Sequence, residues 1–223
     1  MGQQVSLGQA WAALGPHWQE CFELAWRSLR SGGIAIGALL VDGDGDMVGR
    51  GRNRRFGASG GGSAEISGLL GHAEMNALVS VPAGKARSRD YVLYTTLQPC
   101  PMCTGAIVLA RLRRVEFAAV DPRWAGPSGG WFGERMAELS PAIRERWPAF
   151  EGPLYGPLGV WADILPCLSV FGSMQRSLEA TAPARAALAR ATASRFRDCD
   201  AMPPTTLAAL EVIWDELAEA SAG

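Results

Sequence analysis

Short apolar runs alternate with amphipathic helical segments from residue 16 to about residue 120, and this alternation restricts the possible folds more than any other feature of the chain. The periodicities predict helices at about 16–31, 72–80 and 100–111, and strands at about 34–41, 47–52, 91–96 and 115–120. Aspartates and glycines between the first two strands predict a hairpin, whereas the later strand–helix–strand order requires some parallel pairing. We therefore expect an α/β fold in which a large sheet is covered by helices on both faces.

The sequence pattern changes after about residue 122. Glycine, proline and tryptophan are frequent from 121 to 161, and the strand periodicity stops there. Two helical stretches follow, at about 173–195 and 205–220. We interpret 1–149 as the main domain and 150–223 as a C-terminal helical extension packed on its core.

The charge of the chain is nearly balanced, with 21 basic and 22 acidic residues. Proteins that hold nucleic acid usually cluster lysine and arginine against phosphates, so this balance favours a small substrate, although a local basic patch is still compatible with it. The sequence shows neither an apolar run of the roughly 18 residues that span a membrane nor the pattern of a signal peptide. These features predict a cytoplasmic protein without a membrane partner.

The residues that can carry chemistry lie in two short segments, each at the predicted start of a helix. His72 and Glu74 begin one helix, and Cys100 and Cys103 begin the next. Both helices follow strands or loops, so we expect these side chains to meet at one edge of the sheet. In a reducing compartment, a close cysteine pair is more often a metal or redox site than a disulfide. One histidine and two cysteines make a three-ligand zinc set with an open position, as catalytic zinc sites have.

Glu74 is not needed as a ligand and is well placed to move protons. Zinc lowers the pKa of a water that it binds towards about 7, and a nearby carboxylate can serve first as base and then as acid. The helix N-termini stabilise the thiolates of Cys100 and Cys103, which must be deprotonated to bind a metal. The alternative, that Glu74 is only a favourable charge at a helix start, does not explain its place beside the ligand set.

These segments resemble a known family. A His-x-Glu segment followed by Pro-Cys-x-x-Cys is the signature of zinc deaminases that act on nucleobases, and residues 72–74 and 99–103 fit it fully. The chain is similar to the cytidine/deoxycytidylate deaminase superfamily, within it to the branch of guanine deaminases and tRNA adenosine deaminases. The similar stretches are Gly37–Val41, 51–53, 72–78 and 96–107, and the resemblance covers about residues 16–125.

The resemblance implies a three-layer α/β/α fold with a mixed five-stranded sheet, one zinc ion per chain and a homodimer. It implies that Asn53 hydrogen-bonds the base, and that backbone groups of Ala73, Pro99 and Cys100 face the substrate or the leaving group. The chain departs from the family at Gln98, where this branch very often has glutamate.

Two further residues are candidates for the substrate pocket. Asp121 ends the last predicted strand and is a candidate to bind the substrate amino group. Trp124 is a candidate to stack on a base, although packing in the core or in a dimer explains an aromatic residue equally well. Arginines cluster at 50–55 and at 111–114, either as solvated faces or as contacts to the phosphate of a nucleotide or an RNA backbone.

Three functions follow as hypotheses. The first is hydrolytic removal of an exocyclic amino group from a small nucleobase or nucleoside, with a guanine- or other purine-type substrate favoured, and the balanced charge supports it. The second is deamination of adenosine in tRNA, with the base extruded into the pocket. The third is a binding protein that uses zinc for folding alone, in which Glu74 would be dispensable.

Overall fold

The molecule is described here by a computed structural model that covers residues 5–56, 65–85, 89–124, 138–169, 172–197 and 202–222. The strands are β1 (Gly37–Val41), β2 (Met47–Arg52), β3 (Val92–Thr95), β4 (Arg114–Phe117) and β5 (Ala149–Glu151). The helices are α1 (Leu7–Leu14), α2 (Pro16–Arg30), α3 (Ala73–Val79), α4 (Pro101–Ala110), α5 (Pro141–Arg144), α6 (Gly156–Ile164), α7 (Ser173–Thr181), α8 (Pro183–Arg195) and α9 (Thr206–Ala222).

The strands form one mixed sheet of five strands in the order β2-β1-β3-β4-β5. β1 pairs antiparallel with both β2 and β3, whereas β3, β4 and β5 run parallel to one another. The expected mixed five-stranded α/β fold is therefore confirmed. Periodicity found four of these strands and missed β5, whose three residues are too few to show a pattern. β5 also crosses the expected boundary between 149 and 150, so the sheet of the main domain is completed by residues 149–151.

Two glycines let helices pack directly on opposite faces of the sheet. A Cβ atom on Gly37 would meet the backbone of α2, 2.6 Å from the nitrogen of Ala25, and a Cβ atom on Gly51 would overlap the backbone of α3. Gly51 pairs with Ala38, the neighbour of Gly37, and successive residues of a strand point to opposite faces. The sheet is therefore the middle of three layers, with α2 on one side and α3 on the other.

Replacing Gly51 by alanine is expected to displace α3 and the residues at its start. The added Cβ would overlap the carbonyl oxygen of Ala73 and the nitrogen of Ala77, both backbone atoms that cannot rotate away. We expect the free energy of unfolding to fall by about 2 kcal/mol or more, measured by chemical denaturation. Gly105→Ala is the control, because no atom lies within 4 Å of its added Cβ and alanine favours a helix interior by about 1 kcal/mol. Equal stabilities for the two variants would contradict the close packing.

The C-terminal part is helical, as expected, but its helices differ from the expected pattern. The expected helix at 173–195 is broken at Ala182, because the ring of Pro183 cannot continue a helix and instead begins α8. The helices α1, α5 and α6 were not expected; α5 and α6 lie in the glycine- and proline-rich stretch, and each has a proline in its first turn. Helix content was therefore underestimated in that stretch, where prolines stand at helix starts, and at α1, which precedes the first expected helix.

These helices share the core of the main domain on the α2 side of the sheet. The Trp26 ring of α2 lies 5.9 Å from the Trp161 ring of α6 and 5.5 Å from the Phe196 ring. Its indole nitrogen donates a hydrogen bond to the carbonyl of Pro203 (2.8 Å), and the Thr206 hydroxyl donates to the carbonyl of Phe22 (2.9 Å). Buried aromatic contacts of this size hold the helices in place against α2.

Within the described residues, none of the helices has the length and the apolar character needed to cross a bilayer.

Candidate active site

Two helix starts meet beside the sheet and position the predicted metal ligands. His72 immediately precedes α3 with extended backbone angles (φ −79°, ψ 153°), and Cys100 precedes α4 in the same way (φ −68°, ψ 168°). Cys103 lies in the first turn of α4 and is buried. Pro101 begins α4 at a position where the missing N–H costs no hydrogen bond.

The three predicted ligand atoms form a nearly equilateral triangle. The Nδ1 atom of His72 lies 3.6 Å from each of the two sulfur atoms, and the sulfur atoms of Cys100 and Cys103 lie 3.6 Å apart. A tetrahedral zinc ion with bonds of about 2.3 Å to sulfur and about 2.0–2.1 Å to nitrogen requires separations of roughly 3.5–3.8 Å between its ligand atoms. The donor set therefore fits zinc in both chemistry and spacing, as a group that could hold a metal ion.

The three ligand side chains shift one another's pKa values. The hydrogen bond between the two sulfur atoms lowers the pKa of Cys100 to about 4. The same bond, together with burial, raises the pKa of Cys103, and the hydrogen bond to Cys100 raises the pKa of His72. The imidazole and the two thiols therefore interact as one group, and a divalent cation bound there would displace their protons.

The carboxyl group of Glu74 lies directly beside this triangle. Its side chain is 4 % exposed, and burial raises its pKa. The Thr95 hydroxyl is shared between one carboxyl oxygen of Glu74 (3.4 Å) and the carbonyl oxygen of Leu97 (3.1 Å), and the Cys103 thiol donates to the other carboxyl oxygen (3.5 Å). A buried carboxyl group with a raised pKa takes up a proton more readily than an exposed one, which suits a group that accepts and returns protons.

Asn53 follows β2 and is held in one orientation next to the loop that leads to His72. Its side-chain oxygen accepts a hydrogen bond from the backbone nitrogen of Arg55 (3.0 Å), and its own backbone nitrogen donates to Ile36 (2.9 Å). The neighbouring Arg54 donates from its backbone to the carbonyl of Gly71 (2.7 Å). No described residue accepts a hydrogen bond from the side-chain nitrogen of Asn53, so this donor is available to a ligand.

Two of the three backbone positions expected to face the substrate, Ala73 and Pro99, are buried next to the ligands, and the third, Cys100, is itself a ligand. Ala73 is the first residue of α3, between His72 and Glu74. Pro99 precedes Cys100, and its carbonyl accepts a hydrogen bond from the Thr104 hydroxyl (3.4 Å). Their contacts with a substrate stay predictions.

Asp121 is buried and already neutralised by an arginine. Two nitrogens of the Arg123 guanidinium donate to its two carboxylate oxygens, at 2.9 and 2.6 Å. A substrate amino group would have to compete with Arg123 for these oxygens, so the predicted contact with the substrate stays a prediction. Trp124, 36 % exposed, lies with its ring 5.9 Å from the same guanidinium, and its stacking role also stays a prediction.

Gln98 connects the loop before α4 to the end of β4. Its backbone nitrogen donates to the carbonyl of Ala119 (2.8 Å), and its side-chain oxygen accepts from the backbone nitrogen of Asp121 (3.4 Å). A glutamate at this position could accept the same hydrogen bond, because only the side-chain oxygen is used. The departure from the family pattern therefore preserves this connection.

Sequence reasoning missed two polar residues of the site, Thr95 and Arg123. Thr95 lies at the end of β3, where its hydroxyl orients Glu74, and a threonine in a strand carries no signal of that role. Arg123 lies two residues after Asp121, and opposite charges at that spacing in a turn were the available signal.

The predicted site lies in the part of the chain that matches a known protein family. Residues 16–119 match the family described as the cytidine and deoxycytidylate deaminase zinc-binding region. The chain is 38 % identical over 115 residues to the tRNA-specific adenosine deaminase of Bacillus subtilis, a match that covers 50 % of this chain and 64 % of that protein. A solved structure of a protein in complex with 8-azaguanine shares the fold, with a TM-score of 0.50, 21 % identity, and coverage of 69 % of this chain and 84 % of that one.

One relative extends beyond this region. The chain is 35 % identical over 181 residues to the tRNA(Ile)-lysidine synthase of Deinococcus radiodurans. This match covers 79 % of this chain but 28 % of that protein. A match to 79 % of the chain must include residues after 149, so part of the C-terminal helical region has a counterpart there. The chain thus spans between about a quarter and two thirds of the length of these two relatives.

Proposed function

Since residues 16–119 belong to the cytidine and deoxycytidylate deaminase superfamily, we propose that this chain hydrolyses the exocyclic amino group of adenosine within tRNA, giving inosine and ammonia. One observation carries the hydrolytic part of the proposal. Three ligand atoms with the spacing of a zinc site lie beside the buried carboxyl group of Glu74. A metal site next to a proton-transferring group is the arrangement that hydrolysis of an amino-substituted ring requires.

In this proposal His72, Cys100 and Cys103 hold the zinc ion of the family. When bound, zinc supplies a Lewis acid that makes water nucleophilic near neutral pH. Glu74 accepts a proton from the attacking water and delivers it to the ring nitrogen. It then takes the remaining proton from the hydroxyl group added to the ring carbon and delivers it to the amino group. The carbonyl forms as the bond between the ring carbon and the amino nitrogen breaks, so that one water molecule is consumed and one ammonia is released. The hydroxyl group of Thr95 keeps the carboxyl group in one orientation during both transfers.

Asn53 is proposed to bind the base through the free donor of its side chain. Replacing Asn53 by alanine removes that donor, and we expect KM to rise about tenfold, the loss of roughly one hydrogen bond to a polar group. Steady-state kinetics with the substrate checks this, with the melting temperature measured in parallel, because the variant also loses the hydrogen bond from Arg55. An unchanged KM in a folded variant would remove Asn53 from the substrate site.

The choice of an adenosine in RNA rests on relatives. Two of them have names that refer to tRNA, and the longer match includes part of the C-terminal helices. The base would be extruded from its strand into the pocket, as deaminases of polynucleotides require. The homodimer that the resemblance implies is part of this proposal.

A free purine base is the second candidate substrate, and the charge around the site favours it. Three of the arginines near Asn53 are already paired: Arg52 and Arg54 contact Glu65, and Arg50 contacts Glu20. Paired arginines attract a phosphate backbone less than free ones.

A comparison of substrates decides between the two candidates. The zinc-loaded chain is incubated with an unmodified tRNA transcript, and separately with guanine, adenine, adenosine, guanosine, cytosine and cytidine, and ammonia is measured. The proposal predicts release from the transcript and not from free bases. Release from a free base alone would make the second candidate the function.

A further inference from the structure

A second charged pocket lies away from the candidate active site. It has a volume of about 410 Å³, and four arginines contribute to its wall together with Glu145 and Trp147. These arginines are Arg89, Arg111, Arg113 and Arg146. Nothing in the proposed reaction uses any of them.

The topology of the sheet brings these arginines together. Arg89 precedes β3, Arg113 precedes β4 and Arg146 precedes β5, and the three strands run parallel. The backbone nitrogen of Arg113 donates to Tyr91 (3.0 Å), and that of Ala149 donates to Arg113 (3.2 Å), which holds the three strand starts side by side. Cys100 and Asp121 follow the opposite ends of β3 and β4. At about 3.3 Å per residue, the length of β3 alone separates the two edges by roughly 13 Å.

The four arginines lack acidic partners within the described part of the chain. None of them forms an ion pair there, whereas arginines elsewhere do so: Arg114 contacts Glu116 and Glu151, and Arg195 contacts Glu216. Among the described residues, Glu145 is the single acidic one on the pocket wall. Like charges that face one pocket repel one another unless an anion lies between them. The chain as a whole carries a net charge of −1, so this concentration of positive charge is local.

The backbone of Arg111 gives an independent reason to assign a role to its side chain. Arg111 ends α4 in the left-handed conformation (φ 59°, ψ 43°) and is the only residue other than glycine with a positive φ among those described. Its backbone nitrogen donates to Ile107 and Val108, the arrangement in which helices usually end with glycine. A side chain at this position costs conformational free energy that glycine avoids. Arginine at this position places its guanidinium group on the wall of the pocket.

We infer that this pocket binds the phosphodiester backbone of the tRNA substrate, outside the segment that enters the active site. The inference rests on the proposed function. Guanidinium groups bind phosphate oxygens through paired hydrogen bonds, and unpaired arginines around an open pocket suit a phosphate group. The pocket lies at the edge of the sheet opposite the active site. A ligand that contacts both must therefore be much longer than one nucleotide, as tRNA is. Such contacts position a nucleic acid without reading its sequence.

Binding of tRNA by the zinc-loaded full chain tests this. An unmodified tRNA transcript is titrated at several salt concentrations with the wild-type chain and with the double variant Arg113→Gln/Arg146→Gln. We expect the affinity to fall about tenfold and the slope of log K against log salt to decrease by about one for each phosphate contact removed. At saturating tRNA, the rate of deamination is expected to stay unchanged while KM rises.

Arg111→Gly separates binding from folding. Glycine relieves the left-handed conformation, so the melting temperature is expected to stay the same or rise while tRNA affinity falls several-fold. Arg195→Gln is the matched control, because it removes one positive charge from α8, where Arg195 is paired with Glu216. It is expected to leave the salt slope unchanged.

The outcomes distinguish this inference from the proposed function. A wild-type chain that deaminates tRNA, together with a double variant that has the same affinity and salt slope, would overturn the inference alone. So would an equal loss in Arg195→Gln, or occupation of the pocket by adenosine monophosphate that leaves tRNA binding unaffected. A wild-type chain that neither binds nor deaminates tRNA would overturn the proposed function and the inference with it.

Discussion

Replacing Glu74 by glutamine is expected to reduce deamination about a thousandfold, within the range by which positioned acids and bases accelerate reactions. Glutamine has nearly the same shape, and its side-chain oxygen can still accept the hydrogen bond from Thr95. The amide cannot carry a proton between water, the ring and the leaving amino group. The loss should therefore appear in kcat, measured as ammonia released at saturating substrate.

The matched control is Glu116→Gln, which makes the same chemical change on β4. Glu116 pairs with Arg114 and is not part of the site. Zinc content and melting temperature are measured for both variants, and both are expected to keep the zinc of the wild-type chain. Normal activity in Glu74→Gln would support the hypothesis of a zinc-stabilised binding protein and remove the role proposed for this carboxyl group.

Replacing Cys103 by alanine is expected to abolish stable zinc binding. Cys103 is fully buried and supplies one of the three ligand atoms of the proposed site. Even residues that only support zinc ligands contribute 10- to 100-fold to affinity, so we expect the loss of a ligand to weaken binding by more than about 100-fold. Zinc per chain after gel filtration, measured by elemental analysis, should fall from one in the wild-type chain to almost none.

The same change is expected to remove the effect of zinc on stability. A ligand that binds only the folded state raises the free energy of unfolding in proportion to the logarithm of its concentration over Kd. A chelator should therefore lower the melting temperature of the wild-type chain and leave that of Cys103→Ala unchanged. Cys21→Ala is the control, since Cys21 is equally buried but lies in α2, where its thiol contacts the carbonyl of Tyr94. Wild-type zinc content in Cys103→Ala would show that the site lies elsewhere.

The metal-binding part of the site could be predicted from sequence because its residues are close together in the chain. The spacing of Cys100 and Cys103 places both sulfurs at one helix start, and His72 and Glu74 do the same at another. Short spacing at a helix start leaves few geometries open, so residue type and position were sufficient for a prediction that the distances between the ligand atoms fit.

The rest of the site depends on contacts that join distant parts of the sheet. The side-chain oxygen of Gln98 accepts a hydrogen bond from the backbone of Asp121 across 23 positions of sequence, and the Thr95 hydroxyl orients Glu74 across 21 positions. Such contacts are set by the pairing of strands, which single-sequence patterns do not determine. The same limit explains β5, whose three residues are recognisable only through their pairing with β4.

The helical region after residue 150 shows where local patterns mislead. Pro183 divides one expected helix into two, and α6 lies in a glycine- and proline-rich stretch where no helix was expected. In both cases a proline stands in the first turn of a helix, where its ring is tolerated. The burial of Trp26 against Trp161, which joins this region to the main domain, could not be inferred from either residue alone.

The central claim is hydrolysis of adenosine in tRNA at the site formed by His72, Glu74 and the cysteine pair. The most direct measurement is mass spectrometry of nucleosides from an unmodified tRNA transcript after incubation with the zinc-loaded chain in water enriched in heavy oxygen. The account predicts inosine that carries the heavy oxygen, in amounts equal to the ammonia released, and neither product with Glu74→Gln. Ammonia release without inosine, inosine that lacks the label, or no product from a chain with its zinc bound would contradict it.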